Sequence, residues 1–196
     1  MKKYIRYIIY FVLFILLFSA FIYLGKKDYG NDIKRYSDAE RFSLEYSEIP
    51  TDNMFKYSYA SQVLDILENG SGIIYMGFAS NEWSKYYVKN LYQVLKDEKV
   101  SSVYYYDLFK DRLRSTKYYV NIEKKLDDYL YRLDDGSKRL NTPLLVIVKN
   151  GNILYVNNDT SMMENNIKPS SYWDYNRISK FSDEVSYYLE SSGFSG

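Results

Sequence analysis

Cysteine and histidine are both absent from the 196 residues of this chain. Without cysteine there is no thiolate for disulfide exchange, and without histidine there is no imidazole for acid–base catalysis near neutral pH. The same two side chains are common ligands of transition metals in proteins. We therefore predict that the protein holds no metal and no cofactor and that it is not an enzyme.

Neither sign of charge is in excess, because 26 Lys and Arg residues stand against 25 Asp and Glu residues and the formal net charge is +1. A balanced chain has no global field that would attract nucleic acid, so we predict no nucleic-acid partner. Tyrosine, by contrast, is abundant, with 25 residues. Two interpretations stay open: the drift of an AT-rich genome, or a tyrosine-rich surface that recognises carbohydrate or protein.

A long uncharged run, residues 7–24, lies near the N-terminus between basic residues on both sides. As a helix with a rise of about 1.5 Å per residue it would measure about 27 Å, close to the hydrocarbon thickness of a bilayer. We predict a transmembrane anchor here, with residues 1–6 as a cytoplasmic tail. The protein is then single-pass in the cell membrane, with its larger part outside the cytoplasm. A cleaved signal peptide is the alternative, which a shorter apolar run and small residues at the cleavage site would favour.

The remainder of the chain divides into three predicted parts. Residues 25–43 are polar and of mixed charge, which is typical of a tether, although Ser37 and Glu40 match a capping box at the start of a short helical piece. Residues 44–191 are predicted to form the folded domain, and residues 192–196 a tail.

Strand and helix periods alternate along the predicted domain. The dipeptide Asn150-Gly151 joins two runs of strand-forming residues and predicts an antiparallel hairpin. The predicted strands lie at 44–49, 73–78, 103–107 and in the hairpin, and the predicted helices lie at 53–68, from 83 onward, within 109–134 and near the C-terminus. Because crossovers between parallel strands are right-handed, the expected fold class is α/β, a mixed sheet with helices on both faces.

The stretch IIYMGFASNEWSKYYVKNLYQVL, residues 73–95, resembles the strand, loop and helix start that carry the Cys-x-x-C motif in the thioredoxin family. When the two are aligned on Trp83, the cysteine positions are occupied by Asn81 and Ser84. Thiol exchange needs a thiolate that attacks a disulfide, and neither side chain supplies one. The resemblance therefore implies a degenerate, redox-inactive member of the family.

Two further motifs carry the same resemblance. The segment VYYYDL is similar to a family strand that ends in Asp, here Asp107, and Thr142-Pro143 before LLVIVKNG resembles the family's cis-proline loop. The tyrosine-rich strand and the single anchor are also similar to thioredoxin-like accessory proteins of Gram-positive bacteria, including those encoded with bacteriocin transport systems. The resemblance covers residues 44–191.

In the family, the cis-proline loop offers backbone groups to an extended peptide, and this capacity does not depend on cysteine. The resemblance therefore implies a peptide-binding groove between the degenerate motif and the proline. Its candidate residues are Phe78, Ala79, Ser80, Glu82, Trp83, Tyr86, Thr142 and Pro143. The competing interpretation is that Pro143 is present only because the turn requires it.

The functional hypothesis is a membrane-anchored protein that binds a protein or peptide, as an accessory to peptide or bacteriocin export, immunity or envelope folding. The alternative is a structural subunit of a membrane complex that acts through its transmembrane helix, with the domain as spacer or dimerisation unit. A catalytic Ser84 would lack a neighbouring histidine base. A carboxylate enzyme of the glycosidase type would need a carboxylate pair, and no such pair stands out in the sequence.

Overall fold

A computed structural model describes Tyr4, Tyr7, residues 10–19, 36–163 and 166–196. The chain divides into two units, Met1–Tyr36 and Ser37–Gly196. In the first unit the described residues from 4 to 19 are helical, and the rest of the predicted tail, anchor and tether before residue 36 lies outside the description. Among the described residues, no helix is both long enough and apolar enough to cross a membrane. The anchor therefore stays a prediction.

The second unit is an α/β domain. Its described residues form five strands and seven α-helices, namely α1 (Asp38–Glu45), β1 (Phe55–Tyr57), α2 (Ala60–Asn69), β2 (Gly72–Gly77), α3 (Glu82–Asp97), β3 (Val103–Asp107), α4 (Phe109–Arg114), α5 (Lys117–Lys125), β4 (Leu144–Lys149), β5 (Asn152–Asn157), α6 (Pro169–Tyr172) and α7 (Tyr175–Ser192). A 3₁₀ turn, Asp127–Tyr129, follows α5.

The strands form one mixed sheet in the order β1-β3-β2-β4-β5. β3 pairs in parallel with both β1 and β2, whereas β4 is antiparallel to both β2 and β5. The predicted hairpin is confirmed, and both of its turn residues, Asn150 and Gly151, have the positive φ angles that such a turn requires. The mixed α/β sheet predicted from the sequence is therefore correct.

Two hydrophobic cores cover the two faces of the sheet. Strand β2 lies at its centre and all six of its residues are buried, so its side chains alternate between the two cores. Tyr75 belongs to the core that contains residues of α1, α3 and α7. Ile74 and Met76 belong to the core that contains residues of α2 and α5. The predicted placement of helices on both faces is therefore confirmed.

The compact unit begins at Ser37, earlier than the predicted boundary at residue 44. The capping box is present, because Ser37 Oγ accepts from the backbone N–H of Glu40 and the Glu40 carboxylate accepts from the backbone N–H of Ser37. It opens α1, whose Phe42 is fully buried. The expected strand at 44–49 is wrong, since α1 continues to Glu45 and a turn follows it.

The first strand is β1, which lies inside the segment predicted to be helical. Asn53 stops a helix from starting there: its side-chain amide donates to the carbonyl oxygens of Ala39 and Pro50, and its Oδ1 accepts from the N–H of Phe55. The helix α2 begins only at Ala60. A local side chain that bonds backbone groups thus overrides the helical pattern of residues 53–59.

The predicted C-terminal tail at 192–196 is packed against the domain. Ser192 ends α7, and its carbonyl oxygen accepts from Lys149 Nζ at 2.8 Å. The Phe194 ring is partly buried against the core and lies 5.2 Å from the same ammonium group. The backbone N–H of Gly196 donates to the carbonyl of Glu98. The folded domain therefore reaches the last residues of the chain.

Candidate functional site

The degenerate motif lies at the carboxyl end of the central strand β2. The loop Phe78–Asn81 leads from β2 into α3, and the loop that precedes β4 approaches it from the neighbouring strand. The peptide bond between Thr142 and Pro143 is cis. The edge formed by the carboxyl ends of parallel strands is where α/β proteins commonly bind ligands.

Asn81 joins the two loops through one side chain. Its Oδ1 accepts from the backbone N–H of Trp83 at 2.9 Å, which caps the N-terminus of α3. Its amide nitrogen donates to the carbonyl oxygen of Thr142 at 3.1 Å and lies 3.3 Å from the Thr142 hydroxyl. The residue at the first degenerate position is therefore a structural cap and cross-link.

Ser84, at the second degenerate position, is inaccessible. Its side chain is 0% exposed, and its Oγ has no hydrogen-bond partner in the described structure. The Tyr75 hydroxyl donates to the Ser84 carbonyl at 3.2 Å, and burial raises the pKa of Tyr75. A Cβ added to Gly77 would lie 2.5 Å from that hydroxyl, so glycine is needed where β2 ends. Solvent and substrate do not reach Ser84.

The proline side of the predicted groove is closed in the same way. Thr142 is only 5% exposed, and Pro143 is also buried. One of the two lone pairs of the Thr142 carbonyl accepts from Asn81, and the burial of Thr142 limits the access of an extended peptide to the other. The predicted groove residues are adjacent, but there is no open groove between the two loops. Asn81, Ser84, Thr142 and Pro143 instead form a closed seam.

Two aromatic pairs flank the seam on its open side. The Phe78 ring lies 5.1 Å from that of Phe109 on α4, and the Arg112 guanidinium lies 5.4 Å from the Phe78 ring. On the other flank, the ring of Trp83 meets that of Tyr172 on α6 at 5.5 Å, and Arg177 lies 4.7 Å from the Tyr172 ring. Each pair is therefore an aromatic contact with an arginine stacked on it.

The other predicted residues form the surface between these pairs. Ser80 and Glu82 are exposed, and Ala79 and Tyr86 are half-buried. The partners on α4 and α6 were not predicted from the sequence. The only available signal was the mixture of apolar and basic residues in FKDRLR, and nothing in the stretch before Tyr172 indicated its contact with Trp83.

A cavity of about 250 Å³ lies behind Tyr172. Its buried wall includes Asn157, whose Oδ1 accepts from the Tyr87 hydroxyl at 2.8 Å. Its charged side chains are two acids and two bases, and Lys180 and Glu184 form an ion pair at 3.6 Å. The polar groups of this cavity largely satisfy one another, so they do not select an ionic ligand.

The described residues hold no cluster of three or more carboxylates that could bind a metal ion. Asp107, the last residue of β3, instead accepts a hydrogen bond from the backbone N–H of Phe109 at 2.9 Å. The predicted absence of metal and cofactor stays a prediction.

The structure defines a class: a mixed α/β domain with a thiol-free seam at the carboxyl end of its central strand, flanked by aromatic pairs. No protein-family model matches the chain, and no curated protein sequence matches it either.

Proposed function

We propose that this chain is a membrane-anchored, redox-inactive thioredoxin-like protein that binds a protein or peptide partner. The strand order and the mixed strand directions fit a thioredoxin-like fold. The residues that match the family's Cys-x-x-C and proline motifs lie side by side, as the resemblance would require. The chain has no thiol, so a role in disulfide exchange is not part of the proposal.

The observation that carries the binding role is the pair of aromatic contacts at the loop Phe78–Asn81. Aromatic and arginine side chains are enriched where protein interfaces are strongest. Phe109 and Trp83, one from each contact, remain partly exposed to solvent. The guanidinium groups of Arg112 and Arg177 lie 5.4 Å and 4.7 Å from the rings of Phe78 and Tyr172, and Arg177 also pairs with Asp174.

Recognition at this site depends on side chains. Main-chain pairing of an extended peptide needs an accessible carbonyl in the proline loop, and Thr142 is only 5% exposed, with its carbonyl already bonded to Asn81. The binding surface of the proposal is therefore the exposed strip from Phe78 to Tyr86 with its two flanking contacts. Thr142 and Pro143 are buried next to that strip, and Thr142 is bonded to Asn81 within it.

The predicted anchor at residues 7–24 would hold this surface at the cell membrane, outside the cytoplasm. The proposed setting is an accessory role in peptide or bacteriocin export, immunity or envelope folding, which follows from the family resemblance alone. The alternative is a structural subunit that acts through the anchor helix.

Site-specific photocrosslinking of the full chain in native membranes tests the proposal. A probe replaces Glu82, which is exposed at the start of α3, and a control probe replaces Lys124, which is exposed on α5. We expect one discrete adduct from position 82 only, lost in Trp83→Ala under conditions where circular dichroism shows the variant folded. Absence of that adduct, or its persistence in folded Trp83→Ala, contradicts the proposal.

Exchange of residues 7–24 for an unrelated membrane span separates the two functional hypotheses. A partner bound by the domain surface is retained after the exchange, and the adduct from position 82 persists. A partner bound by the anchor helix is lost, which supports the structural alternative.

A further inference from the structure

Helix α4 packs with its polar side toward the domain. None of its six residues is buried. Its inward anchor is Asp111, whose Oδ2 accepts from the Tyr106 hydroxyl at 2.8 Å and whose Oδ1 accepts from Thr116 Oγ1 at 3.1 Å. A surface helix ordinarily turns its apolar stripe inward, so α4 has the reverse orientation.

The apolar side of α4 faces solvent. Phe109 and Leu113 lie one helical turn apart and are 39% and 69% exposed. Neither side chain belongs to the two cores, although the Phe109 ring contacts that of Phe78, and the hydrogen bonds of Asp111 also hold α4 to the domain. Apolar side chains that are displayed in this way, beside the aromatic contact of Phe78, indicate an interaction surface.

Basic side chains surround the stripe. They are Lys110, Arg112, Arg114 and Lys117, all within eight consecutive residues. None of the four has an ion-pair partner among the described carboxylates. Of the nearby acids, Asp107 accepts from a backbone N–H and Asp111 from two hydroxyls, and Lys110 also lines a cavity with Asp38 and Glu45 without forming an ion pair with either. The rest of the Ser37–Gly196 unit contains more acidic than basic residues, so the positive charge is concentrated at α4.

We propose that the outer face of α4 binds a segment of the protein partner that combines acidic and apolar side chains. The inference rests on the proposed function and deepens it by assigning the partner's chemistry. Phe109 and Leu113 supply the apolar contact, and the surrounding cations supply the complementary charge. The face continues into the candidate site, because Phe78 contacts both Phe109 and Arg112.

The observations favour an acidic protein segment over a lipid surface. Arg112 is half-buried with its guanidinium 5.4 Å from the Phe78 ring, and a guanidinium is a planar fork that matches a carboxylate. Helices that lie in a lipid interface bury a long apolar face, whereas α4 offers only two apolar side chains. Binding to anionic lipid is therefore an outcome of the test and not the proposal.

The test uses the full chain in nanodiscs of neutral lipid and two fluorescent peptides with the same Leu and Phe positions. One peptide carries Glu at its remaining positions and the other carries Lys. Fluorescence anisotropy should show binding of the Glu peptide alone, weakened about tenfold when NaCl rises from about 0.05 M to about 0.3 M. Vesicles of phosphatidylglycerol, added as competitors, test whether anionic lipid displaces the bound Glu peptide.

Two variants test whether the basic and the apolar residues of α4 bind the peptide. Lys110→Glu with Arg114→Glu should weaken binding of the Glu peptide about tenfold or more, and so should Leu113→Ser. The matched control is Lys124→Glu with Lys125→Glu, an equal charge reversal on α5, which should leave the affinity within about twofold. Equal binding of both peptides, insensitivity to the α4 variants, absence of binding of the Glu peptide, or displacement of the bound Glu peptide by the vesicles overturns the proposal.

A photocrosslinking probe at Leu113 in native membranes separates this inference from the function on which it rests. Adducts from both position 82 and position 113, the latter mapped to an acidic segment of the partner, support both. An adduct from position 82 without one from position 113 overturns the inference and leaves the proposed function intact. Failure at position 82 rejects the proposed function itself.

Discussion

The side chain of Asn81 bonds on one side to the first turn of α3 and on the other to the carbonyl oxygen of Thr142, across 2.9 Å and 3.1 Å. One amide thus fixes the distance between the helix start and the loop before β4. The contact occupies the position that the sequence resemblance aligns with a Cys-x-x-C motif. In this chain Asn81 forms two structural hydrogen bonds at that position.

Two replacements of Asn81 measure the contributions of its two contacts to stability. Asn81→Ala removes the cap and the bond to Thr142, and should lower the free energy of unfolding by about 2 kcal/mol. Asn81→Ser keeps a cap acceptor but is too short to reach Thr142, and should cost about 1 kcal/mol. Urea denaturation measures both, with the exposed Ser80→Ala as a control. A loss below about 0.5 kcal/mol for Asn81→Ala would show that the contact is not structural.

Single cysteines test the accessibility of the degenerate motif against a background free of thiols. Ser84→Cys should resist a maleimide reagent in the native protein and react fully once it is unfolded, because Ser84 is completely buried. Glu82→Cys, two residues away on the exposed side of α3, should react at once. Mass spectrometry reads the labelling. Equal native reaction rates at the two positions would contradict the closed seam.

The start of the domain can be tested through α1. Phe42 stacks on Phe55 at 4.0 Å and on Tyr46 at 4.6 Å, so Phe42→Ala should lower the free energy of unfolding by about 3–5 kcal/mol. Leu44→Ala is the matched control on the same helix, since Leu44 is 68% exposed, and should change it by no more than about 0.5 kcal/mol. If the two variants melt alike, α1 belongs to the tether and not to the core.

Alkaline pH should unfold the domain. Burial raises the pKa of four core tyrosines, namely Tyr46, Tyr75, Tyr87 and Tyr105. The unfolded chain therefore releases their protons near pH 10, whereas the folded chain retains them, and stability falls as the pH rises above about 10. Each such tyrosine contributes a slope of about 1.4 kcal/mol per pH unit until its folded pKa is reached.

Near-ultraviolet absorbance and circular dichroism, recorded together, measure this effect. The tyrosinate signal of the buried residues should appear in one step with the loss of tertiary structure. Tyr75→Phe should reduce the slope of stability against pH by about 1.4 kcal/mol per unit. Ionisation of the buried residues without unfolding would refute the assignment.

Much of the fold was predictable because its strands are short apolar runs with clear turn signals. β3 occupies the predicted residues 103–107, and Asn150-Gly151 forms the predicted turn. The error at 44–49 arose from Leu44, which suggested a strand although it is exposed. Phe42, Tyr46 and Ile49 are the buried residues, and their spacing of four and three is helical.

The site was predictable only in part. The resemblance to the thioredoxin family predicted Asn81 and Thr142 in one neighbourhood, and the structure bonds them. It gave no sign that Ser84 is buried or that Tyr172 covers Trp83, because both facts depend on packing between segments far apart in the chain. The segment from Asn158 to Tyr172 lacks the periodicity that would have indicated its position.

In α4, the exposed apolar residues and the polar residue that holds the helix to the domain are different residues. Substitutions at Phe109 and Leu113 change what the surface displays while the hydrogen bonds of Asp111 keep the helix in register. Most binding surfaces share residues with the core, so that a new specificity brings a loss of stability. On the binding proposal made above, a change of Leu113 would alter the docking face of α4 while Asp111 continues to hold the helix to the domain.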